Sequence, residues 1–134
     1  MRRPHCPTLL VIEADSSLLA LLADVLTEEG YAVLQARRGT DGLRIAQEHR
    51  PGAILLDLGP VPERGLELLE RLRGGEGTRH IPVVAITSEP SVAVAGRAPR
   101  PDGVLPMPFD LDALLAHVAR VAGPRESAAG ALNA

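Results

Sequence analysis

At 134 residues the chain is long enough to bury one proper core and too short for two. Its aromatic rings are confined to Tyr31 and Phe109, which excludes the stacking platforms that single-stranded nucleic acid needs, and its net charge of -3 argues against broad contact with a phosphate backbone. An apolar share of 46% against 23% charged residues is ordinary for a globular domain, so the core must be aliphatic.

Cys6 is the single cysteine and lies in a Pro-flanked leader spanning residues 1–7, where it has no internal disulfide partner. No apolar stretch reaches the length of a membrane span, and Met1-Arg2-Arg3-Pro4 is not followed by the cleavage pattern of a signal peptide. A reducing cytoplasm is therefore the expected setting. All fourteen basic residues are arginines, so a mechanism that requires a compact ammonium group has no candidate.

Taken in order, Thr8-Leu9-Leu10-Val11-Ile12 reads as a buried strand that ends on Glu13-Ala14-Asp15-Ser16-Ser17. Asp15 or Ser16 can cap the helix that follows, whose Leu18, Leu19, Leu22, Val25 and Leu26 share a stripe, and Gly30 stops it. A strand is expected from Tyr31 to Gln35, and Thr40 or Asp41 opens a second helix that runs to about His49 before Pro51-Gly52. Next comes Ala53-Ile54-Leu55-Leu56-Asp57, an apolar run that stops on a carboxylate. A buried strand of this kind presents its last residue to the crevice at the carboxyl edge of the sheet, where ligands bind in open α/β folds.

The turn-rich stretch from Leu58 to Arg64 leads into a helix carrying Leu66, Leu68, Leu69 and Leu72, with Glu67 and Arg71 spaced to pair on its outer side. Gly74-Gly75-Glu76-Gly77 follows a helix rather than a strand, which makes it a stop and not a phosphate cradle. Pro82 to Ile86 is a fourth strand closing on Thr87-Ser88. From Pro90 to Pro101 the prolines leave room for at most two helical turns, around Val92 to Ala95. Val104-Leu105 forms a short fifth strand. Asp110 then caps a last helix, with Phe109 and Leu114 in staple positions, that is expected to present Leu111, Leu114, Leu115 and Val118 to the sheet. Residues 123–134 are small and aperiodic, and are expected to fray.

Five alternations of strand and helix give an α/β, doubly wound, five-stranded parallel sheet over residues 8–122, flavodoxin-like in topology, with its fourth helix shortened or irregular. In such a sheet Glu13 to Asp15, Asp57 and Thr87-Ser88 end at one edge and can converge. Two or three carboxylates and a hydroxyl around one cleft would attract a hard cation such as Mg²⁺, with few protein ligands and several retained waters. They would also place a nucleophilic carboxylate beside a charge-neutralising metal, a design suited to accepting a phosphoryl group. His5, His49, His80 and His117 share no ligand spacing.

On these residues the chain resembles the receiver domain of two-component response regulators. Leu10-Val11-Ile12-Glu13-Ala14-Asp15-Ser16 is similar to the family's first strand and its acidic pair, Asp57 to the phosphoacceptor, and Gly65 to the glycine that follows it. Thr87 is similar to the switch hydroxyl, and Met107-Pro108-Phe109 to the family's Lys-Pro-Phe. The resemblance implies that Asp57 takes a phosphoryl group from a histidine kinase, that Thr87 bonds to it, and that Glu13, Asp57 and the Gly59 carbonyl ligate Mg²⁺. It also implies a cis Met107-Pro108 bond.

Four departures bear on the chemistry. Ala14 stands at the second acidic position, Met107 at the lysine, and Val104 where an aromatic commonly rotates with the switch; the fourth helix is shortened. Removing one unit charge about 4 Å from a phosphoryl oxygen forfeits roughly 1 to 4 kcal/mol, depending on the effective dielectric. Metal binding is accordingly expected to be weak and Asp57 an impaired acceptor in an atypical, non-enzymatic receiver. The alternative is a pseudo-receiver that works without phosphate as a protein-binding module, with a homodimer or other signalling partner docked on the last strand and last helix. A flavin or nucleotide enzyme on this fold is disfavoured, because Glu13 to Ser17 lacks a glycine-rich turn. No direct nucleic-acid or membrane contact is expected. A free-standing chain and a piece of a larger protein are equally compatible with the sequence.

Overall fold

A computed structural model describes residues 7–95 and 99–123 of the chain; most of the expected leader, with His5 and Cys6, and the expected tail from 124 onward lie outside the described residues. Strands β1 (Thr8–Ile12), β2 (Ala32–Ala36), β3 (Ala53–Asp57), β4 (Val83–Thr87) and β5 (Gly103–Pro106) alternate with helices α1 (Ser16–Glu28), α2 (Gly39–His49), α3 (Pro62–Gly74), α4 (Pro90–Ala95) and α5 (Leu111–Ala122). The sheet order is β2-β1-β3-β4-β5, and every neighbouring pair is parallel. Strand order reverses between β1 and β3, so the crevice outside their carboxyl ends is the natural binding position.

Side chains alternate across a strand, and here both faces are covered. Leu10, Ile12, Ile54, Leu56, Val83 and Ala85 face the layer that contains Leu43, Ala46, Leu68, Leu69 and Leu72 of α2 and α3. Leu9, Val11, Leu55, Val84, Ile86 and Leu105 face Leu19, Leu22 and Leu26 of α1 and Leu114 and Val118 of α5. Continuous apolar runs are what such doubly buried strands require, which is why β1, β3 and β4 read so plainly from sequence. No helix among the described residues is long and apolar enough to cross a membrane.

Local chemistry sets the helix ends. Asp15 Oδ1 accepts from the Ser17 and Leu18 amides at 2.9 and 3.0 Å, and Asp110 Oδ1 accepts from the Ala113 amide at 2.7 Å. Each cap stabilises its helix by about 1 kcal/mol. Helix α2 begins at Gly39, earlier than Thr40 or Asp41, and its N-cap Arg38 makes no side-chain cap bond; Asp41 lies in the first turn, favourably placed for the helix dipole. Helix α3 begins inside the stretch read as a loop, because Pro62 suits the first helical turn.

Three expectations need correction. Strand β2 runs from Ala32 to Ala36, one residue further on than expected. Among the described residues no ion pair joins Glu67 to Arg71, whereas Arg44 pairs with both Asp41 and Glu48 on α2. Leu111 is 49% exposed and does not reach the sheet. It occupies the first turn of α5; Leu114 and Val118, further along, are the residues that reach the core.

The short helix α4 spans six residues, in agreement with the proline-broken sequence. Asp102, read only as part of a turn, docks the following strand: its Oδ2 accepts from the Val83 amide at 2.8 Å, and its own amide donates to the Val83 carbonyl at 2.8 Å. The same carboxylate pairs with Arg73, whose Nη1 donates to the Ile81 carbonyl at 2.7 Å. Strand β5 is thereby tied to β4 and α3 at its entrance.

Candidate functional site

Ile12 lies opposite Leu56 in the β1/β3 register, so Glu13 and Asp57 come next on adjacent strands. Glu13 is 4% exposed. Its amide donates to the Ala36 carbonyl at 2.9 Å, and its Oε2 accepts from the Asp15 amide at 3.0 Å. Oε1 is buried with no hydrogen-bond partner among the described residues. Burial first and the adjacent Asp57 carboxylate second push the Glu13 carboxyl up to about 7, against the opposing bond from the Asp15 amide.

Asp57 is half-buried, and its Oδ1 accepts from the Gly59 amide at 2.8 Å. Gly59 has φ +73, a backbone conformation that a side chain disfavours, and the chain turns there directly after the amide that meets the carboxylate. Gly65 is needed for a different reason: a Cβ there would lie 2.6 Å from Leu58 Cδ2 and 2.9 Å from Leu58 Cα, so α3 could not approach the loop after Asp57. On the neighbouring strand β4, Thr87 follows Ile86, the register partner of Asp57, and is buried; its Oγ1 accepts from the Glu89 amide at 3.0 Å.

The remaining expected positions divide. The Met107-Pro108 bond is cis, and the Met107 amide donates to the Thr87 carbonyl at 2.8 Å, but the Met107 side chain packs with Phe109 against the apolar layer beneath α1 and α5. Val104 packs against the opposite layer. Ala14 is exposed, and its carbonyl accepts both Nε and Nη2 of Arg37, each at 3.1 Å. That contact joins residues far apart in sequence, and nothing in local spacing announces it.

Asp15 turns its Oδ1 to the α1 cap and does not line the cleft of Asp57. The site thus gathers two carboxylates, and no group of three or more His, Cys, Asp or Glu side chains suited to a metal occurs among the described residues. A buried, unbonded Glu13 Oε1 beside Asp57 is nonetheless a donor set that a hard cation retaining most of its waters can use.

The model of the response regulator receiver domain family matches residues 9–119, and the chain belongs to that family. It is 33% identical over 81 residues to the polar-differentiation response regulator DivK of Brucella anthropi, a match covering 60% of this chain and 66% of that protein, just under two thirds of the relative's length. Among solved structures it is similar to a response regulator from Chloroflexus aurantiacus, with TM-score 0.78 and 27% identity over 87% of this chain and 98% of that one. It is also similar to the receiver domain of a Pseudomonas aeruginosa sensor histidine kinase that holds a magnesium ion in its active-site cleft, with TM-score 0.74 and 25% identity over 88% and 98% of the two chains. The protein is a receiver domain of the two-component signalling class.

Proposed function

We propose that Asp57 is a slow phosphoacceptor for a histidine kinase and that the domain relays signals without being an enzyme. The observation that carries this reading is the register of β1, β3 and β4, which sets buried Glu13, half-buried Asp57 and buried Thr87 at three adjacent strand ends on one edge. Glu13, Asp57 and the Gly59 carbonyl would hold Mg²⁺, which when bound neutralises charge on an incoming phosphoryl group. The chain's own residues prepare the acceptor: the Gly59 amide fixes one Asp57 oxygen and leaves the other for attack on phosphorus. Thr87 offers a hydroxyl, and its loop continues into Met107 through the Thr87 carbonyl, a route by which a change at the site reaches β5 and α5. Those elements, with exposed Leu111, are the proposed surface for a signalling partner or a second copy, in the cytoplasm.

The acceptor is slow because two positions beside it carry uncharged side chains. Ala14 supplies no carboxylate, and Met107 is an apolar packing residue. Incubation with acetyl phosphate and Mg²⁺, followed by intact mass, should show partial labelling that Asp57→Asn abolishes. A second reading, a binding module that works without phosphate, is favoured by the same two residues; it predicts equal partner affinity for the wild type and Asp57→Asn.

A further inference from the structure

Asp57 shares its cleft with Arg37, Arg38 and Arg64, in a cavity of about 410 Å³. An adjoining cleft of about 630 Å³ is also lined by Arg37 and Arg38, together with Arg44. Arg44 is already matched on its own helix, with Asp41 at 3.8 Å and Glu48 at 3.2 Å. The other three enter no ion pair among the described residues. Arg37 is also held in place, since Nε and Nη2 both donate to the uncharged Ala14 carbonyl. Its orientation is fixed while its charge stays uncompensated. In a chain of net charge -3, three such arginines beside Asp57 and its neighbour Glu13 are a local reversal of sign.

Their chemistry narrows the ligand. Guanidinium groups suit phosphate oxygens because their planar forks donate paired hydrogen bonds, and they stay charged under all working conditions. The rim supplies an apolar flank as well: Pro60 and Val61 line the same cleft, and Val61 is 44% exposed. A cavity of this size falls within the range of small-molecule sites, roughly 300 to 1,000 Å³. We propose that the cleft binds a phosphate-bearing small molecule noncovalently, with its oxyanion on Arg37, Arg38 and Arg64 beside Asp57 and its less polar body against Val61. This deepens the reading of the same site and assigns the arginines the role of compensating anionic charge, but it does not require phosphoryl transfer to Asp57.

Titration of the intact chain with inorganic pyrophosphate in EDTA, read by calorimetry and by amide NMR shifts, tests it. Saturable binding is expected, with shifts centred on the loops after β2 and β3. Arg38→Ala and Arg64→Ala remove charge without breaking a structural hydrogen bond, and each should weaken binding about tenfold, the worth of one charge-assisted contact. Arg79→Ala, in the turn after α3, should leave it unchanged. Asp57→Asn should bind as tightly as the wild type or more so, because a neighbouring negative charge is gone. Absence of saturable binding, or an equal loss in Arg79→Ala, overturns the inference. Labelling of the wild type with acetyl phosphate and Mg²⁺ separates the two proposals: pyrophosphate binding without Asp57 labelling supports the arginine site alone, whereas labelling without pyrophosphate binding refutes that site and leaves the phosphoacceptor reading standing.

Discussion

Glu13 and Asp57 leave adjacent parallel strands at the same edge, and buried Glu13 keeps one oxygen without a hydrogen-bond partner among the described residues, next to the Asp57 carboxylate. Burial first and Asp57 second raise the Glu13 carboxyl to about 7. An acid whose folded-state value exceeds its unfolded value binds more protons when folded, so stability falls as pH rises between the two. The window here runs from the ordinary value of 4.5 up to about 7. In EDTA, urea midpoints should therefore decline across that interval, by at most about 3 kcal/mol in free energy. Glu13→Gln should flatten this decline; an unchanged slope in that variant would show that another group is responsible.

Restoring the missing charges should restore chemistry. Ala14→Asp supplies a carboxylate to the metal site and Met107→Lys an ammonium near the phosphoryl group, each worth roughly 1 to 4 kcal/mol. The rate of labelling by acetyl phosphate in the double variant should rise at least about tenfold over the wild type. A folded double variant that labels no faster would show that the defect lies elsewhere. Each single variant should recover less than the pair.

Close approach at Gly65 can be probed directly. A Cβ at this position would meet a backbone atom, Leu58 Cα, at 2.9 Å, and backbone cannot move aside as a flexible side chain can. Gly65→Ala should destabilise the domain by about 1 to 3 kcal/mol, seen as a lower urea midpoint. Gly74→Ala is the matched control, since a Cβ there meets nothing within 4 Å. Equal midpoints for the two variants would remove the packing role assigned to Gly65.

Asp102 should matter more than a turn residue does. Asp102→Ala leaves the Val83 amide without its acceptor and Arg73 with the Ile81 carbonyl but without its carboxylate, a loss of about 2 kcal/mol. Hydrogen exchange should accelerate first in β5, because this is the strand that the carboxylate ties down. Uniform acceleration over the whole sheet would contradict a local tether.

Much of this was legible in the sequence because it depends on short-range regularity. The apolar runs of β1, β3 and β4 follow from burial on both faces, and a carboxylate at the end of such a run, as at Asp57, already locates the crevice. Asp15 and Asp110 act within three residues of themselves, so their capping roles could be read locally. What escaped was tertiary. The reach of Arg37 to Ala14 and the clasp of Asp102 on Val83 and Arg73 join distant segments and leave no periodic trace. Leu111 has the right spacing for the core face yet is half exposed in the first turn of α5, one turn before the buried Leu114. Glu67 and Arg71 have the spacing of a pair, but spacing alone does not hold two exposed side chains together.

The central claim, an acceptor carboxylate assembled in the right place but without a carboxylate at Ala14 or an ammonium at Met107, is tested most directly by intact-mass labelling of the wild type with acetyl phosphate and Mg²⁺. Slow, partial addition of one phosphoryl group, abolished by Asp57→Asn, is the predicted result. Prompt stoichiometric labelling, or labelling that persists in Asp57→Asn, would contradict it.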